Sequence, residues 1–151
     1  MAGPSQYLQA KLLSQAFGAT AWSAPATVYI GLSTVADSTG NVDATLAGGE
    51  PTIGTGSYAR IAVTNNTTNF PAASGSNPST SKLHVAFSFP ASSAAWSTGA
   101  TALKSWAAYD AATGGNMLWN GPVSPATDAV NGSGVTISLA IDALTASLNQ
   151  S

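Results

Sequence analysis

Behind one short helical segment, clusters of Gly, Pro, Ser and Asn cut the chain into brief apolar runs. That punctuation constrains the fold more than any other feature. The runs are "TVYIGLST" (Thr27–Thr34), "SYARIAVTN" (Ser57–Asn65), "KLHVAFSFP" (Lys82–Pro90), "ALKSWAAYDA" (Ala102–Ala111), "NMLWNGPV" (Asn116–Val123) and "GVTISLAID" (Gly134–Asp142). They are rich in β-branched and aromatic residues and too short for typical helices, so they predict strands. Alternation sets the faces. Leu83, Val85, Phe87 and Phe89 share one side, as do Val135, Ile137, Leu139 and Ile141, while Tyr58, Arg60, Ala62 and Thr64 alternate with Ala59, Ile61 and Val63. Many short strands between turn signals predict an all-β fold, a sandwich or barrel. At 151 residues this is one domain, 1–151, with the sandwich over about 27–144. The stretches Asp37–Thr55 and Ala72–Lys82 read as long loops.

The exception is the N-terminus. Ser5 is a candidate N-cap, and Leu8, Leu12, Ala16 and Phe17 follow at helical spacing before Gly18 stops the pattern. A helix over about 5–17 is too short to stand alone in water, so its apolar face must be covered. With Tyr7 and Leu13 the stripe is wide. Two arrangements are expected: either Leu12 and Phe17 pack on the chain's own sandwich while Tyr7 and Leu8 face a partner, or the helix only plugs one end of the sandwich.

Composition narrows the function. Only 7% of residues are charged and Lys plus Arg number four, so no basic stripe exists to follow a phosphate backbone; nucleic-acid binding is not expected. The surface must be covered by Ser, Thr, Asn, Gly and Ala, which suits lasting contact with other proteins. There is no cysteine, hence no disulfide, thiolate metal site or cysteine nucleophile. "MAGPSQYLQAKLL" lacks the basic start and apolar core of a secretion signal, and no apolar run approaches a membrane span, so the expectation is a soluble protein made in the cytoplasm. The sequons at Asn65, Asn66 and Asn131 then carry no weight.

The Gly-Gly pair in "SWAAYDAATGGNMLWNG" is the one stretch that resembles a phosphate loop. Such a loop needs a following helix N-terminus, and "NMLWNGPV" reads instead as a strand. The stretch therefore predicts a hairpin: Asp110 accepts from the turn's backbone, and Gly114 or Gly115 takes positive φ.

No catalytic, cofactor or metal constellation emerges. His84 is a single strand histidine without a G-x-S-x-G serine or ligand spacing. Asp37, Asp43 and Glu50 lack the alternation of a calcium loop, and Asp110, Asp128 and Asp142 are scattered. Trp22, Trp96, Trp106 and Trp119 sit in or beside apolar runs, which points to packing rather than a sugar platform. Arg60, the only arginine, shares a side with Tyr58 and predicts an ion pair across strands or at an interface. Tyr7, Leu8 and Arg60 are the candidate partner contacts.

"GGEPTIGTGSYARIAVTNNTTNFP", "VAFSFPASSAAW", "AAYDAATGGNMLWNGPV" and "VTISLAID", in this order, resemble a group of small tailed-phage virion proteins. The group includes capsid cement (decoration) proteins and short tail-fibre-like proteins. The likeness runs from Tyr7 to Leu144, departs at the insertion "AASGSNPSTSK" and brings no catalytic role. It implies a jelly-roll-like sandwich on the capsid's outer surface, bridging major capsid protein subunits as a dimer or trimer. The alternative it implies is a tail-fibre or tail-associated receptor- or carbohydrate-binding module.

Overall fold

The computed structural model describes residues 3–18, 20–36, 43–75, 78–96, 101–127 and 130–148. Among the described residues it is all-β apart from one three-turn helix, one short helix and a 3-10 turn at Thr55–Ser57. In chain order the elements are β1 (Gly3–Pro4), α1 (Gln6–Ala16), β2 (Thr27–Ser33), α2 (Asp43–Gly48), β3 (Ile61–Thr64), β4 (Ser79–Lys82), β5 (Phe87–Ser88), β6 (Leu103–Tyr109), β7 (Met117–Thr127), β8 (Ser138–Leu139) and β9 (Thr145–Leu148). A five-stranded antiparallel sheet in the order β1-β7-β6-β2-β3 forms the main layer. Two two-stranded ribbons, β4-β9 and β5-β8, complete the fold.

The main sheet is covered on both faces at its centre, which is why β2 and β6 read as nearly unbroken apolar runs rather than clean alternations. Register fixes the two sides: Ile30 opposes Ala108 and Leu32 opposes Trp106, while Tyr29 opposes Tyr109 and Gly31 opposes Ala107. On the first side Val28, Ile30, Leu32, Trp106 and Ala108 meet Leu83, Phe89, Ile137, Leu139 and Leu144 from the ribbon segments in one core. On the second, Leu46 of α2 closes a smaller cluster with Ala107, Tyr109 and Met117. Tyr58, Phe89 and Trp96 stack and cross with ring centroids 5.1–6.1 Å apart, and such pairs add about 0.5–1.5 kcal/mol each beyond burial.

Several expectations change at the edges. The run "KLHVAFSFP" does not form one strand, because the chain changes partner midway, from β9 at Ser79–Lys82 to β8 at Phe87–Ser88. Its faces are nonetheless as the alternation predicts, with Leu83 and Phe89 buried and Val85 and Phe87 packed against the core. Ile141 leaves its predicted side and is 52% exposed. There the backbone turns through Asp142 at φ 62, which donates its N–H to the Leu83 carbonyl. The two long loops are also partly ordered. Within the first, the helix-forming "DATLAG" makes α2 and buries Leu46, and within the second, β4 pairs with β9.

α1 sits the opposite way round from the first of the two expected arrangements. Ser5 caps it, accepting from the Leu8 N–H at 3.0 Å, and is itself pinned to β7: its N–H donates to the Leu118 carbonyl and its hydroxyl to the Met117 carbonyl. β1 pairs Pro4 with Trp119 just before it. The first turn is thereby tied to the sheet. Leu8 enters the core with Tyr7 packed beside it, and the last turn, with Leu12, Leu13 and Phe17, projects into solvent.

Candidate functional site

Two of the four stretches carrying the resemblance meet at one place. "GGEP" supplies Glu50, "GSYAR" supplies Tyr58 and Arg60, and "YDAATGG" supplies Tyr109 and the turn. Arg60 grips Glu50 in a two-pronged pair, Nε to Oε1 at 2.8 Å and Nη2 to Oε2 at 2.7 Å. Its Nη1 donates to the carbonyls of Ala111 and Gly114, both at 2.8 Å. The guanidinium lies 3.4 Å from the Tyr109 ring centroid. Tyr58 adds a hydroxyl that donates to Glu50 Oε1 at 3.0 Å and accepts the Leu32 N–H at 2.9 Å. The Arg60 and Glu50 side chains retain 5% and 8% exposure. Gly31 makes the room: a Cβ there would stand 2.6 Å from Glu50 Oε1.

The electrostatics follow from that enclosure. Burial disfavours the Arg60 charge, but the hydrogen bonds and charge of Glu50 outweigh it, and the guanidinium is held even more firmly ionised than usual. Burial, reinforced by the Glu50 charge, pushes the Tyr58 phenol far above its ordinary value of 10.0, so it remains a hydroxyl donor. Arginine and tyrosine thus satisfy Glu50, and little of the cluster is left facing solvent. Chemically it is a clamp that fastens two loops and a hairpin to the sheet.

The hairpin is built as the sequence predicts. Asp110 donates its N–H to the Asn116 carbonyl and accepts from the Asn116 N–H (Oδ1, 2.6 Å) and side-chain amide (Oδ2, 2.8 Å). One detail differs: Gly114 and Gly115 both take positive φ, 58° and 71°, rather than one of them. They are not equivalent, because a Cβ on Gly115 would lie 2.5 Å from Asp110 Oδ1 while one on Gly114 meets nothing within 4 Å.

The remaining candidates are dispersed. Leu8 lies in the core and Tyr7 packs partly buried against it, so they do not form the outward partner face expected of them. Arg60 is an internal strut, the intramolecular form of the predicted ion pair. His84 pairs with Asp142 at 3.1 Å on the surface, where both remain about half exposed. Asp37 and Asp128, and the Asp43 side chain, lie outside the described residues. Among the described residues no three His, Asp or Glu side chains gather around a common point. All four tryptophans pack against the main core, Trp96 and Trp106 fully buried, and the Trp106 indole lies across Gly121.

Sequence reasoning placed Tyr58 on the side of Arg60 but missed Glu50, Tyr109 and Gly31 as its surroundings. A signal existed for the first: Glu50 is the only glutamate and Arg60 the only arginine in the chain. In so uncharged a protein a charge placed near apolar strands requires a partner.

The chain belongs to the family described as podophage GP4 fiber I protein gp80, whose model matches residues 3–147. It is thus a member of a bacteriophage fibre family. No curated protein matches the chain.

Proposed function

We propose that the chain is a non-catalytic structural module of a fibre on a podophage virion, acting through contacts with other virion proteins. The observation that carries this reading is the family match over residues 3–147, which supports the fibre position, the alternative in the sequence analysis, over the capsid-cement position that was its first reading. The site geometry agrees. Glu50, Arg60 and Tyr58 are tied to one another and to the backbone of the turn, so the cluster serves rigidity rather than turnover. With only 7% of its residues charged, the chain presents few charges to desolvate against a neighbouring protein.

Copy number and position test the reading. Gel quantification of purified virions, with immunogold labelling, is expected to give few copies per particle confined to the tail region. Hundreds of copies spread over the head would overturn it in favour of capsid cement.

A further inference from the structure

Two features stand out among the described residues. One is a knob: Phe17, at the end of α1, is 83% exposed, with Leu12 and Leu13 beside it at 39% and 60%. The only charge on α1 is Lys11, whose ammonium lies 5.4 Å from the Tyr7 ring centroid on the helix's inner side. The other is a hole. Between the β2-β6-β7 face and the β4-β9 ribbon lies a partly open cavity of about 210 Å³, walled by Val28, Phe70, Leu83, Trp106, Leu144 and Ala146. A cavity of about 150 Å³ lined by apolar groups takes up benzene, so this one has room for a phenyl ring. Asn65 and Ser81 on its wall are uncharged and already donate to the Pro25 and Pro71 carbonyls, and Trp119, also on the wall, carries a buried indole N–H without a partner.

We propose that Phe17 of one copy inserts into this cavity of a second copy. The two halves match in size, in apolar character and in lack of charge, so neither ion desolvation nor repulsion opposes the contact. One contact accounts for both features. It joins different surfaces of the two copies, so it is head-to-tail and leaves a free knob at one end and a free hole at the other. Such contacts close into rings when the rotation between copies allows and otherwise extend in a row. The inference goes beyond the fibre reading and does not depend on it, because it concerns the purified chain alone.

Complementation tests it. Phe17→Ser removes the knob at an exposed position, and Ala146→Leu fills the hole. By analytical ultracentrifugation the wild-type chain is expected to assemble as its concentration rises, and each variant to remain a folded monomer by circular dichroism. An equimolar mixture is expected to form pairs, since one variant supplies an intact cavity and the other an intact Phe17. The proposal is overturned if wild type stays monomeric at all concentrations, if either variant assembles like wild type, or if two folded variants fail to pair. Should Ala146→Leu misfold, Ser81→Leu at the rim replaces it in the same mixture.

Discussion

The Arg60 clamp and the apolar cavity lie against opposite faces of the same sheet, and they fill space in opposite ways. On the Tyr109 side, the chain's only arginine and only glutamate are sealed together, with hydrogen bonds running to two loops and a turn. On the Trp106 side, apolar side chains meet without closing the gap between sheet and ribbon. Among the described residues Trp119 Nε1, a side chain bordering that gap, is the one buried side-chain polar atom without a partner. The contrast shows that scarcity of charge does not make every charge a surface feature. Here the tightest joint is ionic and the loosest is hydrophobic, so equally small substitutions should have very unequal effects on the two sides.

The largest effect should come from halving the clamp. Arg60→Ala leaves the Glu50 carboxylate buried with only Tyr58 to answer it, and breaking such a pair costs about 3–5 kcal/mol. Denaturant unfolding should show that loss, and Glu50→Ala should approach it. The double variant should lose clearly less than the sum, because the second change removes the stranded charge. Additive losses would mean that the pair is not the joint. Arg60→Lys should not restore stability, since an ammonium cannot grip both carboxylate oxygens and two turn carbonyls from one plane.

The adjoining turn gives a smaller and more selective test. Alanine at either glycine must adopt positive φ, at about 1–2 kcal/mol. Only at position 115 does the new Cβ also strike the Asp110 carboxylate that organises the hairpin. Gly115→Ala should therefore cost at least about 1 kcal/mol more than Gly114→Ala in thermal unfolding. Equal melting temperatures would place the strain elsewhere.

Tyr58 sharpens the same side through pH. Tyr58→Phe leaves the Leu32 N–H unpaired in the core, which costs about 1–3 kcal/mol near neutral pH. The folded state keeps the phenol proton where the unfolded chain, with its ordinary pKa of 10.0, releases it. The stabilisation from this group is therefore complete below pH 10 and falls away as pH rises above it. Wild type should lose stability more steeply than Tyr58→Phe in that range, and the gap between them should narrow. Parallel curves would show that Tyr58 ionises as readily folded as unfolded.

The two sides also differ in how far they could be read from the sequence. Strand periodicity identified the apolar side almost completely, since Leu83, Phe89, Ile137 and Leu139 face inward as alternation requires. The hairpin was legible because Asp110 and the glycines act within a few residues of one another. The clamp was not, because Glu50, Arg60 and Gly114 come together only after the sheet forms, and no local period marks a long-range pair. The orientation of α1 failed for a related reason. Its apolar residues are spread around the helix, with Gln6, Gln9, Lys11, Ser14 and Gln15 interleaved among them, and the choice of side was made outside the helix, by Ser5 and Pro4 docking on β7. The cavity was equally invisible, since alternation tells which residues face inward and not whether they fill the space.

The smallest predicted effect belongs to that loose side, and its sign is opposite to the others. Ala146 is a partly buried β9 residue on the cavity wall. A larger apolar side chain there can grow into empty volume without displacing backbone. Cavity-filling changes of this type add about 0.5–2 kcal/mol where they fit, so Ala146→Leu should leave the monomer's melting temperature unchanged or slightly raised. The same enlargement at Gly31, where a new Cβ would strike Glu50 and Tyr58, should be strongly destabilising. The pair of substitutions measures the difference between the faces directly. If Ala146→Leu lowers stability as much as Gly31→Ala, the space behind β4-β9 is as tightly occupied as the clamp, and the contrast between the two sides disappears.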